Sequence, residues 1–597
     1  MSRLYILLLI LVSATTWGQS SSVANRYFEE YAYTKSASMY EEIVAEGDSS
    51  KVSLQRLGDS YYNIRNTQKS EPIFAALLAK YPNDVEAIYT FKYAQSLQSN
   101  GKDEQAKVWF EKFFEAVKND KRAQRFISGI NEVNQAKIPN AKNLGLVDFN
   151  SEYSDFSGFI QNDTLYWYSA HNSSGGKTYQ WNDQPFLDVF ASKVSDKGAT
   201  ANLLSENILN EVNTKYHEAT LCITKDGKTM YFTRDNYDGR KLGKDKDKTT
   251  HLKLYKATLE EGKWTDIKEL PINNDAYSVG HPALNADETK LYFVSDMPGS
   301  LGESDLYRVS IVNGNVSEQT VENLGDHINT EGSEMFPYLD AENNLFFASN
   351  GHPGYGLLDV FVATPLGDRY DAVENLGSRV NSNRDDFGFV VKDGVGFVSS
   401  NREGGVGDDD IYRFDFEKCT KALFGIVYDE RTKEPLSGAT VRLIDANGEQ
   451  SQMLTTGADG SYRFDAVDCV AEIVITGEKP DYRSVKETVA LNTPETEQDL
   501  YLNSLIVDDQ IVLNPIYFDF DKSNIRPDAA YELEHIVTVM NNHPEMVIEI
   551  ESHTDSRGND AYNRALSDRR AKSTRDYLYS RGIATGRIKS AIGYGES

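Results

Sequence analysis

Five segments of one design recur through the middle of this 597-residue chain: Leu165-Tyr-Trp-Tyr-Ser169, Met230-Tyr-Phe-Thr-Arg234, Leu291-Tyr-Phe-Val-Ser295, Leu345-Phe-Phe-Ala-Ser349 and Val395-Gly-Phe-Val-Ser399. They start 65, 61, 54 and 50 residues apart, the length of a four-stranded sheet plus its loops. A second signature follows each: Leu187-Asp188-Val-Phe190, Leu254-Tyr255, Asp305-Leu-Tyr307, Asp359-Val-Phe361 and Asp410-Ile-Tyr412. The second repeat departs from it, with Lys253 at the Asp position and a charged insertion over residues 238–250. Asn323-Leu-Gly325 leads to Ile328-Asn329, and Asn375-Leu-Gly377 leads to Val380-Asn381. A matching Asn143-Leu-Gly145 stands before the first repeat, and none follows the fifth. An early strand is thereby available to complete the last unit, as ring closure requires. The pattern predicts a five-bladed β-propeller over residues 140–416.

These repeats resemble the TolB-like and WD-type family. An Asp that recurs in most units is structural, because an active site needs asymmetry. The run Asp408-Asp409-Asp410 therefore reads as a strand terminus and loop brace, with a calcium site as the lesser alternative. No nucleophile elbow, His-rich cluster or phosphate loop is present. The expectation is no catalytic residue, no cofactor and no metal.

Residues 22–137 show helical periodicity with few prolines. Leu57-Gly-Asp-Ser-Tyr-Tyr62 and Lys92-Tyr-Ala-Gln-Ser-Leu97 lie 35 residues apart, and the segment resembles a tetratricopeptide (TPR) array of about three units. Such arrays present a groove to a partner; a plain helical bundle is the alternative. Residues 420–503 alternate apolar and polar side chains around a Pro/Gly turn and an Asp-Gly turn. They resemble the carboxypeptidase regulatory-like domain, which implies a seven-stranded β-sandwich and no peptidase activity. Cys469 falls in this region and Cys419 stands directly before it, so a disulfide between them is a candidate, although pairing is not readable from sequence. Cys222 sits in an alternating strand and reads as a small buried hydrophobe.

The C-terminal residues 511–597 carry Tyr517-Phe-Asp-Phe-Asp-Lys-Ser-Asn-Ile-Arg-Pro527, then His553-Thr554-Asp555, then Asn563-x-x-Leu566-Ser567-x-x-Arg570-Ala571. In order, this reads as a strand, a Pro-started helix, a strand, a turn and a long helix. The arrangement resembles the OmpA-like peptidoglycan-binding domain, an α/β fold. The resemblance implies that Asp555 and Arg570 are the ligand-contacting pair, that Asn563 braces the loop, and that His553 and Thr554 shape its backbone. A diaminopimelate side chain ends in an ammonium and a carboxylate. One fixed anion and one planar guanidinium suit that zwitterion. The bland alternative is a surface salt bridge between the two residues. The sequence stops at Gly593-Tyr-Gly-Glu-Ser597, where the family continues with a further helix and strand, so the domain reads as C-terminally incomplete.

Met1-Ser-Arg precedes a short apolar run over residues 6–12 and small polar residues to Gln19, the pattern of a secretory signal over residues 1–19. The run is too short to span a membrane, and no Cys stands near the expected cleavage point. The formal net charge of −29 argues against nucleic acid or anionic lipid as a general partner. The domain order resembles OmpA-family proteins of Bacteroidetes type, specifically the PorE-like group associated with type IX secretion and gliding. That resemblance implies a noncatalytic periplasmic scaffold, associated with the outer membrane and cell wall. Its wall partner would be the diaminopimelate-containing stem peptide of peptidoglycan, and its protein partner an outer-membrane or secretion/gliding component. The alternatives are a propeller-based envelope sensor localised by the wall-binding tail and, further off, an envelope hydrolase.

Overall fold

The computed structural model describes residues 21–129, 140–171, 177–195, 198–203, 209, 211–417, 420–444, 450–468 and 472–596. The signal segment, residues 130–137 of the helical span, and both Cys419 and Cys469 lie outside the described residues. The chain divides into two compact units, Met1–Lys418 and Cys419–Ser597.

The first unit begins with helices: α1 (residues 21–29), α2 (Tyr33–Ala45), α3 (Lys51–Asn63), α4 (Thr67–Lys80), α5 (Ile88–Ser99), α6 (Asp103–Ala116) and α7 (Lys121–Gly129). Their starts are chemically marked. The Ser50 hydroxyl accepts from Ser53 N at 3.3 Å, and the Asn66 side chain accepts from Lys69 N at 3.1 Å, each satisfying an amide left open by the first turn. From α2 onward each helix packs on the next. Aromatic side chains such as Phe91, Phe110, Phe113 and Phe126 fill the space between α5, α6 and α7.

Five antiparallel sheets follow among the described residues. Sheet I comprises Asp155–Gln161, Thr164–Ser169, Asp188–Ser195 and Gly198–Leu203. Sheet II comprises Glu218–Ile223, Thr229–Asp235, Leu252–Glu260 and Lys263–Glu269. Sheet III has Val279–Leu284, Lys290–Ser295 and Asp305–Val312, the last paired with the short strands Asn315–Val316 and Glu322–Asn323. Sheet IV has Glu334–Leu339, Leu345–Ser349, Asp359–Leu366 and Arg369–Asn375. Sheet V joins Asp386–Lys392, Val395–Ser400 and Asp410–Glu417 to Asn140–Leu146, a strand from the opposite end of the array. The first strand of each sheet contacts the first strand of the next, and that of sheet V contacts that of sheet I.

One polar device is repeated in all five sheets. An asparagine amide brackets the backbone of a residue one or two past the third-strand start, accepting from its N–H and donating to its carbonyl. Asn213 does so for Val189, Asn273 for Leu254, Asn329 for Leu306 and Asn381 for Val360. In sheet V, Asn150 brackets Ile411 across 261 residues of chain. In sheets III, IV and V the recurrent Asp at the third-strand start holds the preceding loop. Asp305 accepts from Leu301 N, Asp359 from Tyr355 N and Gly356 N, and Asp410 from Val406 N and Gly407 N. Lys253, the exception, pairs with Glu269 at 3.1 Å and Asp275 at 2.8 Å. Among the described residues no group of three or more His, Cys, Asp or Glu side chains is placed to hold a metal ion. Cys222 is a buried free thiol in sheet II. On the first strands, Phe336 packs 4.8 Å from Phe387 and 4.4 Å from His281, and Phe156 packs 5.7 Å from Phe387 (ring centroids).

Buried acids begin several first strands. Glu334 is fully buried and accepts from Thr330 N at 2.8 Å, Thr330 Oγ1 at 2.7 Å and Ser349 Oγ at 2.7 Å. Desolvation pushes its carboxyl up to about 7 and that of Glu218 up to about 8, from an ordinary 4.5. The folded state therefore keeps protons that the unfolded chain releases. The resulting stabilisation is present below 4.5 and is lost as pH rises through about 7 to 8. The melting temperature of the first unit is expected to fall between pH 5 and pH 8, and Glu334→Gln to flatten that slope in calorimetry across the range.

In the second unit, two sheets enclose an apolar core that includes Leu423, Val427, Val441, Leu443, Phe464 and Ile475. Thr420–Asp429 pairs antiparallel with Ser461–Asp468 and parallel with an edge interrupted into Glu495–Glu497 and Leu500–Leu502. The second sheet runs Gln450–Thr455, Thr440–Ile444, Glu472–Glu478 and Val485–Ala490. Beyond it lie α8 (Pro527–Asn542) and α9 (Asp560–Ser580), packed with a parallel pair of strands, Ile548–His553 and Ile588–Gly595. Pro527 at the first turn of α8 suits a position whose N–H needs no helical partner. The strand expected at residue 517 does not form: residues 515–519 are irregular. The two described strands pair with each other, and the carbonyls of Asp519 and Lys522 are taken by the Arg570 guanidinium instead of by a neighbouring strand.

A loop of the sandwich locks onto α8. Arg483 Nη2 lies 2.5 Å from Glu532 Oε2, Asn514 Nδ2 donates to Glu532 Oε1 at 2.8 Å, and His543 Nε2 lies 2.8 Å from Asp481. The Arg483 contact, assisted by Asn514, holds the Glu532 carboxyl down at about 2. Its contribution is present above the ordinary 4.5 and disappears as pH falls through about 2. Arg483→Met is expected to destabilise the C-terminal unit by about 1.5–3 kcal/mol in urea denaturation, the usual worth of a charged hydrogen bond.

Candidate functional site

The strand Ile548–His553 ends where the chain turns toward α9. Asn559 caps α9 by accepting from Tyr562 N at 2.9 Å, and Asn563, buried one turn in, donates to Asp555 O at 3.3 Å and to Glu596 Oε2 at 3.3 Å. The turn is thereby tied to the helix. Thr554 N donates to Gly595 O at 2.7 Å, and the His553 ring stacks on Tyr594 at 5.8 Å. The Thr554 hydroxyl is buried with no hydrogen-bond partner among the described residues. Backbone and side chain together leave the Asp555 carboxylate at the surface, its side chain 70% exposed.

Arg570 lies two turns along α9 from Asn563. Its Nε donates to Lys522 O at 3.0 Å and Nη2 to Asp519 O at 3.3 Å, with the guanidinium 4.9 Å from the Phe518 ring centre. Burial lowers the guanidinium from its ordinary value, while the Tyr562 and Asp555 charges act in the opposite sense. Two of its five N–H groups are so engaged.

All five residues singled out in the sequence line one open cleft of about 1780 Å³, with Phe518 and Asp521 among its other walls. Asp555 and Arg570 do not pair with each other. The nearest cation to Asp555 is Arg557, at 3.9 Å, and Arg570 is committed to carbonyls. An anion and a cation thus face one volume without neutralising each other, the arrangement a zwitterionic ligand needs. Sequence reasoning missed Tyr562, whose hydroxyl donates to Asp521 at 2.7 Å, and Phe518 beneath the guanidinium. Only the aromatic-acid alternation of Tyr517-Phe-Asp-Phe-Asp521 hinted at them.

Comparison with known proteins places two family models on this chain. The OmpA family model matches residues 517–597, and the carboxypeptidase regulatory-like domain model matches residues 422–503. A peptidoglycan-associated lipoprotein of Brucella melitensis is 43% identical over 103 residues, 17% of this chain and 56% of the relative. Outer membrane porin F of Pseudomonas aeruginosa is 42% identical over 83 residues, 14% of this chain and 23% of the relative. The chain thus spans from about a quarter to just over half the length of these curated relatives. The crystal structure of the peptidoglycan-associated lipoprotein from Burkholderia pseudomallei is 31% identical, covering 14% of this chain and 68% of that one, at a TM-score of 0.13. No described helix is long and apolar enough to cross a membrane.

Proposed function

We propose that this chain, which carries an OmpA-family C-terminal domain behind a carboxypeptidase regulatory-like domain, is a noncatalytic envelope scaffold that grips peptidoglycan in the Asp555–Arg570 cleft. The observation that carries the reading is the unpaired juxtaposition of an exposed carboxylate and a guanidinium braced against Phe518. Asp555 receives the ammonium of a diaminopimelate side chain, and the remaining N–H groups of Arg570 receive its carboxylate. Asn563 holds the turn in place. The names of the relatives, a peptidoglycan-associated lipoprotein and an outer-membrane porin, support a place at the outer membrane and cell wall, in the periplasm.

In this reading the five sheets are the blades of one propeller. Support comes from the fivefold Asn bracket and the return of contacts from sheet V to sheet I. The helices before it are a tetratricopeptide-type array, and array and propeller together hold a protein partner of the secretion or gliding class. The sensor alternative needs an open ligand funnel, against which stands the aromatic packing of Phe156, Phe336 and Phe387 where the first strands meet.

The test is sedimentation of the full chain with isolated sacculi, with free diaminopimelate as competitor. Retention that free diaminopimelate abolishes is expected. Retention indifferent to the competitor, or none, would sink the zwitterion reading.

A further inference from the structure

Two side chains of the helical array suited to reading a peptide main chain are already occupied. Gln95 and Gln98, both buried on α5, each donate an amide N–H to a carbonyl in the loop between the second and third strands of sheet IV. Gln95 Nε2 reaches Asn350 O at 2.9 Å, and Gln98 Nε2 reaches Gly354 O at 2.7 Å. Tyr62 of α3 donates to Gln95 Oε1 at 2.5 Å, which orients that amide. Leu357 of the same loop enters an apolar socket of Leu54, Tyr62, Phe74 and Leu77. Amides on carbonyls with one side chain in a socket is how a groove holds a segment largely by its backbone.

The loop reaches the helices preformed. His352 Nε2 lies 2.8 Å from Ile328 O, and Asp359 accepts from Tyr355 N and Gly356 N. A Cβ at Gly356 would come within 1.8 Å of Arg384 O, so only glycine permits this path. Asp385 fastens both sides, accepting from Leu358 N at 3.1 Å and pairing with Arg65, just beyond α3, at 3.1 Å.

We propose that this face of α3, α4 and α5 is a peptide-binding surface whose ligand is the chain's own residues 350–358, bound in cis, and that it is closed to partners in trans. A loop braced by its own sheet loses little entropy on docking and is tethered at high effective concentration, so a free peptide cannot displace it. A protein partner must then use another surface of the chain.

The experiment uses the full chain and a fluorescent peptide of residues 349–359, with hydrogen–deuterium exchange read over the same residues. Wild type is expected to ignore the peptide and to protect the loop. Leu357→Ser is expected to speed loop exchange by about tenfold or more, as local opening becomes easier, and to bind the peptide in trans. A peptide carrying the same Leu357→Ser change should not bind. Wild type that binds the peptide, or whose loop exchanges like a free peptide, overturns the proposal. Should Leu357→Ser not fold, the pair Gln95→Ala with Gln98→Ala keeps the socket. Faster exchange confined to the loop and α5 then supports the proposal, and unchanged exchange overturns it.

Discussion

Asp555→Ala is expected to weaken sacculus binding by about 10- to 100-fold, the worth of one charge-assisted hydrogen bond to the ligand, while leaving the fold intact. The second half of that expectation follows from geometry. The Asp555 side chain is 70% exposed, and its described contacts are a 3.9 Å approach to Arg557 and one 3.3 Å bond from Arg557 N. A change at such a surface position stays within roughly ±0.5 kcal/mol of wild-type stability. Arg570 differs, because its guanidinium also secures the carbonyls of Asp519 and Lys522. Arg570→Ala should therefore lose binding and loosen that loop together. Arg570→Lys keeps the charge but not the planar fork, and should bind more weakly than wild type. Isothermal titration with a diaminopimelate-containing stem peptide, alongside thermal melts, separates the two effects. Asp555→Ala that is folded and binds normally would remove Asp555 from the site.

The largest stability effect is expected at Asn381. Its side chain accepts from Val360 N at 2.8 Å and donates to Val360 O at 2.9 Å, both in the interior, and donates to the half-buried Asn375 Oδ1 at 2.9 Å. Asn381→Ala strands a buried N–H and a buried carbonyl, at about 1–3 kcal/mol each, so a loss of about 3–5 kcal/mol is expected in urea denaturation of the first unit. Asn150→Ala is the sharper comparison. Asn150 makes the same bracket on Ile411 from the other end of the array, at 2.9 and 3.0 Å. If the sheets close as a ring, losing this bracket should cost nearly as much as losing that of Asn381. A small effect at Asn150 with a large one at Asn381 would mean that the closure contributes little.

Much of this was legible in the residues. The five Tyr/Phe-rich strands, the Asp at the third-strand start and the early Asn143-Leu-Gly145 strand all appear in the sheets, because an alternating strand must turn its apolar face inward wherever it lies. The Ile328-Asn329 and Val380-Asn381 pairs were visible, but Val212-Asn213, Ile272-Asn273 and Phe149-Asn150 were not singled out, although the same bracket joins all five. Their flanking residues vary, and only the shared backbone bond reveals the equivalence. The strand read at residue 517 was an error of the same origin: alternation states a preference, but a strand exists only where a partner supplies its hydrogen bonds.

At the site, the resemblance carried by the ordered motif implied that Asp555, Asn563 and Arg570 share one pocket, and the three line one cleft. Whether Asp555 and Arg570 would pair with each other was decided only by the tertiary structure, which gives them different partners. Both outcomes are compatible with the same spacing, and the difference rests on Arg570 finding Asp519 and Lys522 carbonyls 48–51 residues away. The same holds for Gln95 and Gln98, ordinary polar residues of a helix whose partners lie 255 and 256 residues further on. Local pattern determines which face of an element is apolar. What that face meets is settled by contacts between distant segments, and no local periodicity records those.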